Sequence, residues 1–478
     1  MIPVRRVLKW TAVSIGTVSV VAGLALGAGL SQPLDPIPQF GTRPDRLVIA
    51  NVTIIDVADG TARPDQTVTI EGGKIVSVAR AVKDANRPAG AMVIDGKDKF
   101  LIPGLWDAHV HTLALSDRLH FPLMLAHGVT TIRNMGDGCS WRSTLDCVAD
   151  RDQWQPSAQG PRIIASAGYH IEQLDSAEDA ERLVKAIKAR GDDLIKIQLD
   201  DESDPDASKF AALVRASGRL SVPATGHVPS TARLTDPLFE ALVSIEHDSQ
   251  LMPLCRADEP VQCNALLATL AQRRTAYVPT HIASTGQDLA LARHQPEQDA
   301  LLPFNSSALA VIWRAYRWLH RSSTDVHDLR AFKQIHRDAL RLTLKAQRAG
   351  VPILAGTDAL DPFVLHGPAL HQELAYLARA GLSPAEVLRA ATMSPAMILG
   401  EGDETATIGV GNRADLVLLN HNPLSDIAAT QAINTVIANG VVYGPDERAR
   451  MMAFVKQQAA RFSVGARSWW ALAGFDPV

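Results

Sequence analysis

Leu105-Trp106-Asp107-Ala108-His109-Val110-His111 is the stretch on which the reading of this chain turns. It has the length and apolar character of a buried strand, and its two histidines, two residues apart, leave that strand on the same side. Seven further runs of strand type follow: Val129 to Asn134, Arg162 to Ala167, Leu194 to Gln198, Val222 to His227, Val243 to His247, Ala276 to His281 and Pro352 to Asp358. Helical stretches separate most of them. Examples are Ala177 to Ala189, Ala207 to Ala216 and the long Leu301 to Arg348, whose apolar positions recur at three and four. Eight βα units of this length predict an α/β fold, a TIM (β/α)8 barrel.

The flanks have a different rhythm. Short β-branched runs at Leu47 to Ile55, Thr67 to Glu71, Lys74 to Ala79 and Ala91 to Ile94 are punctuated by Asp59-Gly60 and Gly72-Gly73 turns. Similar runs return at Asp415 to Asn420 and Thr435 to Tyr443, so the two ends of the chain are expected to build one small β-sandwich domain together. The expected division is an export signal or membrane anchor over 1–30 and a Pro-rich linker over 31–45. The sandwich then takes 46–103 and 403–445, the barrel 104–402, and a C-terminal helical tail 446–478.

Composition narrows the class. Of 478 residues 46% are hydrophobic and 21% charged, with 47 basic against 51 acidic side chains and a formal charge of −4. That balance excludes a disordered tail protein and a polyanion binder, so no nucleic-acid partner is expected. Gly and Pro show no period, which excludes collagen, solenoids and propellers.

Arg5, Arg6 and Lys9 precede an uncharged stretch from Trp10 to Leu34, the pattern of a basic n-region and apolar h-region. A cleaved signal and a retained anchor both fit, the Arg pair also suiting a twin-arginine signal. Any membrane contact is expected through this segment alone. The cysteines fall as Cys139 and Cys147, then Cys255 and Cys263, each pair separated by seven residues in stretches rich in Asp, Gly, Ser and Pro. That spacing fits neither a zinc finger nor a redox C-x-x-C motif. Two short disulfide loops or four free thiols remain open, and the signal favours the first, in an oxidising compartment such as the periplasm.

Chemistry-bearing residues gather at the C-terminal ends of the strands, where a barrel places its site. His109 and His111 are joined by Lys196 in Leu-Ile-Lys-Ile, His227 in Thr-Gly-His-Val-Pro, His247 in Ser-Ile-Glu-His and Asp358 in Ala-Gly-Thr-Asp. One such histidine is ordinarily a hydrogen-bonded interior residue, and one such aspartate a helix cap. Six candidate metal ligands at five strand ends are not explained that way.

With these residues in view, the chain resembles the metal-dependent amidohydrolase superfamily, in its prolidase-like and imidazolonepropionase-like branch. The resemblance is carried by Leu101 to His111, Ser244 to His247, Leu354 to Asp358, Leu382 to Glu386 with Ala390 to Thr392, and Gly409 to Val417. It implies that His109, His111 and Asp358 hold one divalent ion and His227 and His247 a second, zinc by default. Lys196, carboxylated by carbon dioxide to N6-carboxylysine, would bridge them. A lysine among Leu194, Ile195 and Ile197 is costly to bury as an ammonium, which makes the neutral amine available. The competing role for Lys196 is an ion-pair partner in a one-metal site.

The resemblance further implies hydrolysis of an amide by an activated water, with Asp358 taking its proton and passing it to the leaving nitrogen. Lys196 favours the dipeptidases over the one-metal deaminases, whose catalytic Glu has no counterpart in Val228-Pro229-Ser230-Thr231. Departures are Gln198-Leu199-Asp200 after the lysine and Asn134 in place of an Asp. The expected substrate is a dipeptide or N-acyl amino acid. Tyr169, His281 and His366 are placed by strand position as candidate substrate contacts. Trp313, Tyr316 and Trp318 lie on the long helical segment as core or lid. Lactone, ester or cyclic amide hydrolysis on the same site is the alternative, and an exported binding protein without catalysis is the reading from another class. The oligomeric state, including a homo-oligomer, stays open.

Overall fold

A computed structural model describes residues 26–81, 90–112, 115–136, 159–171, 174, 176, 178–199, 207–231, 240–255, 259–287, 291, 296–323 and 326–472. Two sheets organise them. The first is mixed and eight-stranded, with β1 (Arg46–Asp56), β2 (Thr61–Glu71), β3 (Lys74–Arg80), β4 (Met92–Asp95) and β5 (Phe100–Pro103) from the start of the chain. β13 (Leu416–Leu419), β14 (Ile433–Ala438) and β15 (Val441–Tyr443) come from its end. β13 joins the halves by pairing antiparallel with β5, Leu416 opposite Pro103 and Leu419 opposite Phe100. Leu47, Ile49, Ile54, Val68 and Ile70 from one end share a core with Leu416, Leu418 and Ile437 from the other. The expected run Thr435 to Tyr443 is two strands, because Asn439 and Gly440 both take positive φ (49° and 74°) and turn the chain as Asn-Gly hairpins do.

The second sheet is parallel: β6 (Leu105–Val110), β7 (Val129–Asn134), β8 (Arg162–His170), β9 (Leu194–Gln198), β10 (Ala224–Gly226), β11 (Leu242–Glu246) and β12 (Ala276–Val278), in sequence order. The expected eighth strand, Pro352 to Asp358, does not form a regular ladder. It nevertheless fills the gap between β12 and β6. Tyr277 bridges to Ile353 and Val110 to Ala359, Ala108 N–H donates to Ala355 O (2.9 Å), and Thr357 and Asp358 N–H both donate to His109 O (3.1 and 2.7 Å). The barrel is thereby closed, and the TIM-barrel expectation is met.

The irregularity has two causes. Pro352 carries no N–H for the ladder. At Gly356 the chain passes so close to β6 that a Cβ would stand 2.7 Å from the Cβ of His109. Asp107, buried in β6, clamps the segment by accepting from Thr357 N–H (3.0 Å) and Thr357 Oγ1 (2.7 Å), and burial pushes its carboxyl up to about 7.

Helices Asp179–Arg190 and Ala207–Leu220 cover the outside of the barrel as expected. The long Leu301 to Arg348 segment breaks into Ser307–Ser323 and Val326–Arg348. Trp313 is buried against Phe363, with ring centroids 5.3 Å apart, whereas Tyr316 and Trp318 are exposed, so the aromatic stripe divides between core and surface. Among the described residues no helix is long and apolar enough to cross a membrane; the Trp10 run lies outside them apart from its last residues.

Candidate metal centre

Five of the six candidate ligands sit where their strands end. His109 lies near the end of β6 with His111 just beyond it, His227 and His247 immediately follow β10 and β11, and Asp358 ends the eighth segment, whereas Lys196 lies in the middle of β9. The backbone there is costly. His247 (φ 67°, ψ 141°) and Asp358 (φ 57°) hold positive φ, which L-residues adopt at roughly 1–3 kcal/mol each and retain when the surroundings over-determine them. Gly226, at φ 126°, lets β10 close on β9: a side chain there would collide with the Ile197 carbonyl, and His227 is the next residue.

The side chains converge. Asp358 Oδ1 stands 3.3 Å from His109 Nε2 and 3.1 Å from His111 Nε2, and its Oδ2 is 3.6 Å from His247 Nδ1. His109, His247 and Asp358 each offer a ligand atom within 4.8 Å of the others. The His247 ring lies 4.7 Å from that of His109 and 5.0 Å from that of His227, and Lys196 Nζ is 3.5 Å from His247 Nε2. All six residues therefore gather in one cluster. The tightest group joins His247 to His109 and Asp358, whereas the sequence grouped His247 with His227.

Burial removes charge from the donors. It lowers His111, and lowers His227 and His247 well below the ordinary imidazole value, leaving neutral rings with lone pairs. Burial also brings the Lys196 ammonium down to about 8, against the opposing pull of Glu246 and Asp358. Asp358 goes the other way: burial would raise it, but His109 and His247 together hold it well below the usual carboxylate range.

A cation fits this arrangement. Glu246 Oε2, 2.7 Å from His109 Nδ1, accepts the proton on that nitrogen. Nε2 is then left buried and without a hydrogen-bond partner among the described residues, facing a carboxylate oxygen across 3.3 Å. Two electron-rich atoms so placed call for a positive charge between them, and imidazole with carboxylate is a donor set for zinc or a similar dication.

The remaining candidates are placed differently. Tyr169 is half-buried at the C-terminal end of β8. His281 and His366, the other candidate substrate contacts, are both fully buried. His281 has both nitrogens engaged, Nδ1 with Asp248 Oδ2 (3.0 Å) and Nε2 with Thr343 Oγ1 (2.9 Å). His366 Nε2 donates to the carbonyl of His111 (3.0 Å) and its ring stacks on His120 at 4.1 Å, so it props up a candidate ligand's backbone. Asn134 Oδ1 accepts from Thr112 N–H (3.0 Å). Cys255 and Cys263 are joined in a disulfide with Cα atoms 4.5 Å apart; Cys139 and Cys147 lie outside the described residues.

Sequence reasoning gave no role to Glu246 or Arg133, both fully buried beneath His109. The available signal was an arginine inside the apolar strand Val129 to Asn134, which must have a partner, and a glutamate directly before a candidate ligand.

Comparison with known proteins follows the same line. The imidazolonepropionase of Alkaliphilus metalliredigens is 23% identical over 412 residues, covering 78% of this chain and 88% of the relative, and that of Rubrobacter xylanophilus is 25% identical over 383 residues, covering 74% and 84%. Among solved structures, a putative prolidase from Bifidobacterium longum superposes with a TM-score of 0.61 at 26% identity, covering 87% of this chain and 99% of that one. Bottromycin amidohydrolase superposes with a TM-score of 0.68 at 24% identity, covering 95% and 96%, and shares the fold. The family model described as "Amidohydrolase family" matches residues 100–443, which spans the whole barrel and the returning strands, and the chain belongs to that family.

Proposed function

We propose that this amidohydrolase-family hydrolase of carbon–nitrogen bonds cleaves the amide of a small substrate, a dipeptide or an N-acyl amino acid, at a two-metal centre. The observation that carries this reading is the His109–His247–Asp358 cluster with the buried Lys196, its ammonium lowered to about 8, beside it. His109, His111 and Asp358 would hold one divalent ion, and His227 and His247 the other. The Lys196 amine adds to carbon dioxide, forming the N–C bond of a carbamate and releasing a proton, so that an anionic oxygen ligand replaces an amine. Zinc is the default for imidazole and carboxylate donors. When bound, the ions supply a water that ionises near neutral pH and an electrophile for the scissile carbonyl.

The protein's own residues do the rest. Asp358, ionised and next to His109 and His111, takes the proton of the attacking water on its carboxylate and returns it to the departing nitrogen. Tyr169, at the mouth end of β8, is the substrate contact retained from the sequence. The putative prolidase and the imidazolonepropionases, as named, support carbon–nitrogen bond hydrolysis, and the former favours a dipeptide. The Arg5-Arg6 and Trp10 to Leu34 pattern, with the Cys255–Cys263 disulfide, supports export to an oxidising compartment.

The test is a hydrolysis screen of zinc-loaded protein against dipeptides, N-acyl amino acids and lactones. Turnover of a dipeptide or acyl amino acid is expected. Efficient lactone or ester cleavage with no amide turnover overturns the assignment in favour of the ester reading.

A further inference from the structure

We propose that Glu246 is a positioning residue that fixes the tautomer of His109, and that Arg133 holds the Glu246 carboxylate for that task. This rests on the reading of His109 as a metal ligand. The two side chains are wholly buried, and between them they tie four strands together across the barrel interior. Arg133, on β7, donates through Nε to the Ala108 carbonyl of β6 (2.6 Å), through Nη1 to Ser244 Oγ (2.8 Å), and through Nη2 to both oxygens of Glu246 (2.7 and 2.9 Å). Glu246, on β11, also accepts at Oε1 from Thr225 Oγ1 of β10 and from Ser244 Oγ, both at 2.5 Å. Every neighbour of the carboxylate is thus a donor, and the contact left is His109 Nδ1 at 2.7 Å.

A carboxylate surrounded in this way has only acceptor capacity to offer. The proton of a neutral His109 ring is therefore held on Nδ1, and the lone pair is held on Nε2, aimed at the Asp358 side of the site. A carboxylate behind a metal-facing imidazole orients the ring and makes it a better donor. Arg133 has a separate effect. Its guanidinium is planar, so two-point contact with Glu246 fixes the plane of the carboxylate, and the bond to Ala108 O anchors the pair to the strand that carries His109.

Glu246→Gln tests the assignment. A glutamine can still accept from Arg133 through its amide oxygen, but it turns an N–H2 group toward His109 Nδ1. That nitrogen must then accept, and the ring proton moves to Nε2, where the ligand lone pair is needed. Zinc affinity, measured by competition with a chromophoric chelator, should fall about 10- to 100-fold. Histidine-selective 15N NMR of the metal-free full chain should show the His109 ring changing from the Nδ1–H to the Nε2–H form. Thr225→Val removes one donor and keeps the carboxylate, so its zinc affinity should stay within about twofold of wild type.

A folded Glu246→Gln protein with wild-type zinc affinity and an unchanged ring would overturn the proposal. Should that variant not fold, the wild type decides alone, because an Nε2–H form of His109 in the metal-free protein is equally fatal to it. A wild type in the Nδ1–H form that takes up no zinc supports the tautomer assignment and overturns the metal reading separately.

Discussion

Glu373→Gln should make the protein less sensitive to rising pH. Glu373 lies in helix Pro368–Ala380 with no exposed surface. Its Oε2 accepts from Ile282 N–H (2.9 Å), and Oε1 has no partner among the described residues. Burial pushes its carboxyl from 4.5 up to about 7, against the opposing pull of His281 and of backbone N–H groups, while Asp248 adds to the rise. At about 1.4 kcal/mol per tenfold change in proton affinity, that displacement corresponds to roughly 3 kcal/mol.

The sign follows from a folded value above the unfolded one. The stabilisation is complete below pH 4.5 and is lost as pH rises through about 7. Glutamine keeps the acceptor for Ile282 and has nothing to ionise. Wild type should therefore lose roughly 3 kcal/mol relative to Glu373→Gln between about pH 4.5 and 8. That figure is a ceiling. His281, which Asp248 and Glu373 raise against the effect of burial, is held in its charged form by the ionised Glu373 and recovers part of the cost; Arg379, Tyr376, Tyr277 and His336 are further titratable neighbours. The assay is thermal unfolding of both proteins in the same buffers across this range. Parallel profiles, with a difference in Tm that does not change with pH, would refute the reasoning.

Three other outcomes are expected. Lys196→Ala should drop metal content from about two equivalents and abolish turnover, with partial recovery on adding a short carboxylate; undiminished turnover with one ion would remove the carbamate bridge. Gly226→Ala should destabilise the fold by roughly 3 kcal/mol, since it combines a positive φ with a collision at the Ile197 carbonyl, and it should lower metal content by displacing His227; a Tm within 1 °C or so of wild type would contradict the close packing of β9 on β10. Cys255→Ser should cost about 2–3 kcal/mol by freeing a short loop, and native unreduced protein should leave Cys255 and Cys263 unalkylated, as read by mass spectrometry.

The sequence was most legible where one physical requirement dominates. Val129 to Asn134 and Leu194 to Gln198 match their observed strands because β-branched residues, which fit a pleated and buried surface, recur in both. Legibility failed where two requirements compete in the same residues. Pro352 to Asp358 reads as a strand and lies where a strand should, yet Pro352 and the close approach at Gly356 break the ladder. At Asn439-Gly440 the apolar run on either side concealed a turn that only its two positive φ values reveal.

The candidate site divides on different lines. A residue at a strand end announces itself by type and position, and five of the six proposed ligands are of that kind. Glu246 and Arg133 act through each other, and their positions, one on β11 and one on β7, have no fixed spacing in sequence. What brings them together is the barrel's curvature, which lets side chains from strands far apart in the sheet meet inside it. His281 and His366 differ in kind: by type and strand position they resemble contacts at the mouth, but Asp248 and Thr343 engage both nitrogens of His281, and His366 Nε2 donates to the backbone carbonyl of His111. A polar residue near a barrel mouth is therefore a candidate for chemistry only after its hydrogen bonds have been accounted for. On that criterion His109 Nε2, buried opposite Asp358 and without a hydrogen-bond partner among the described residues, is a candidate ligand atom.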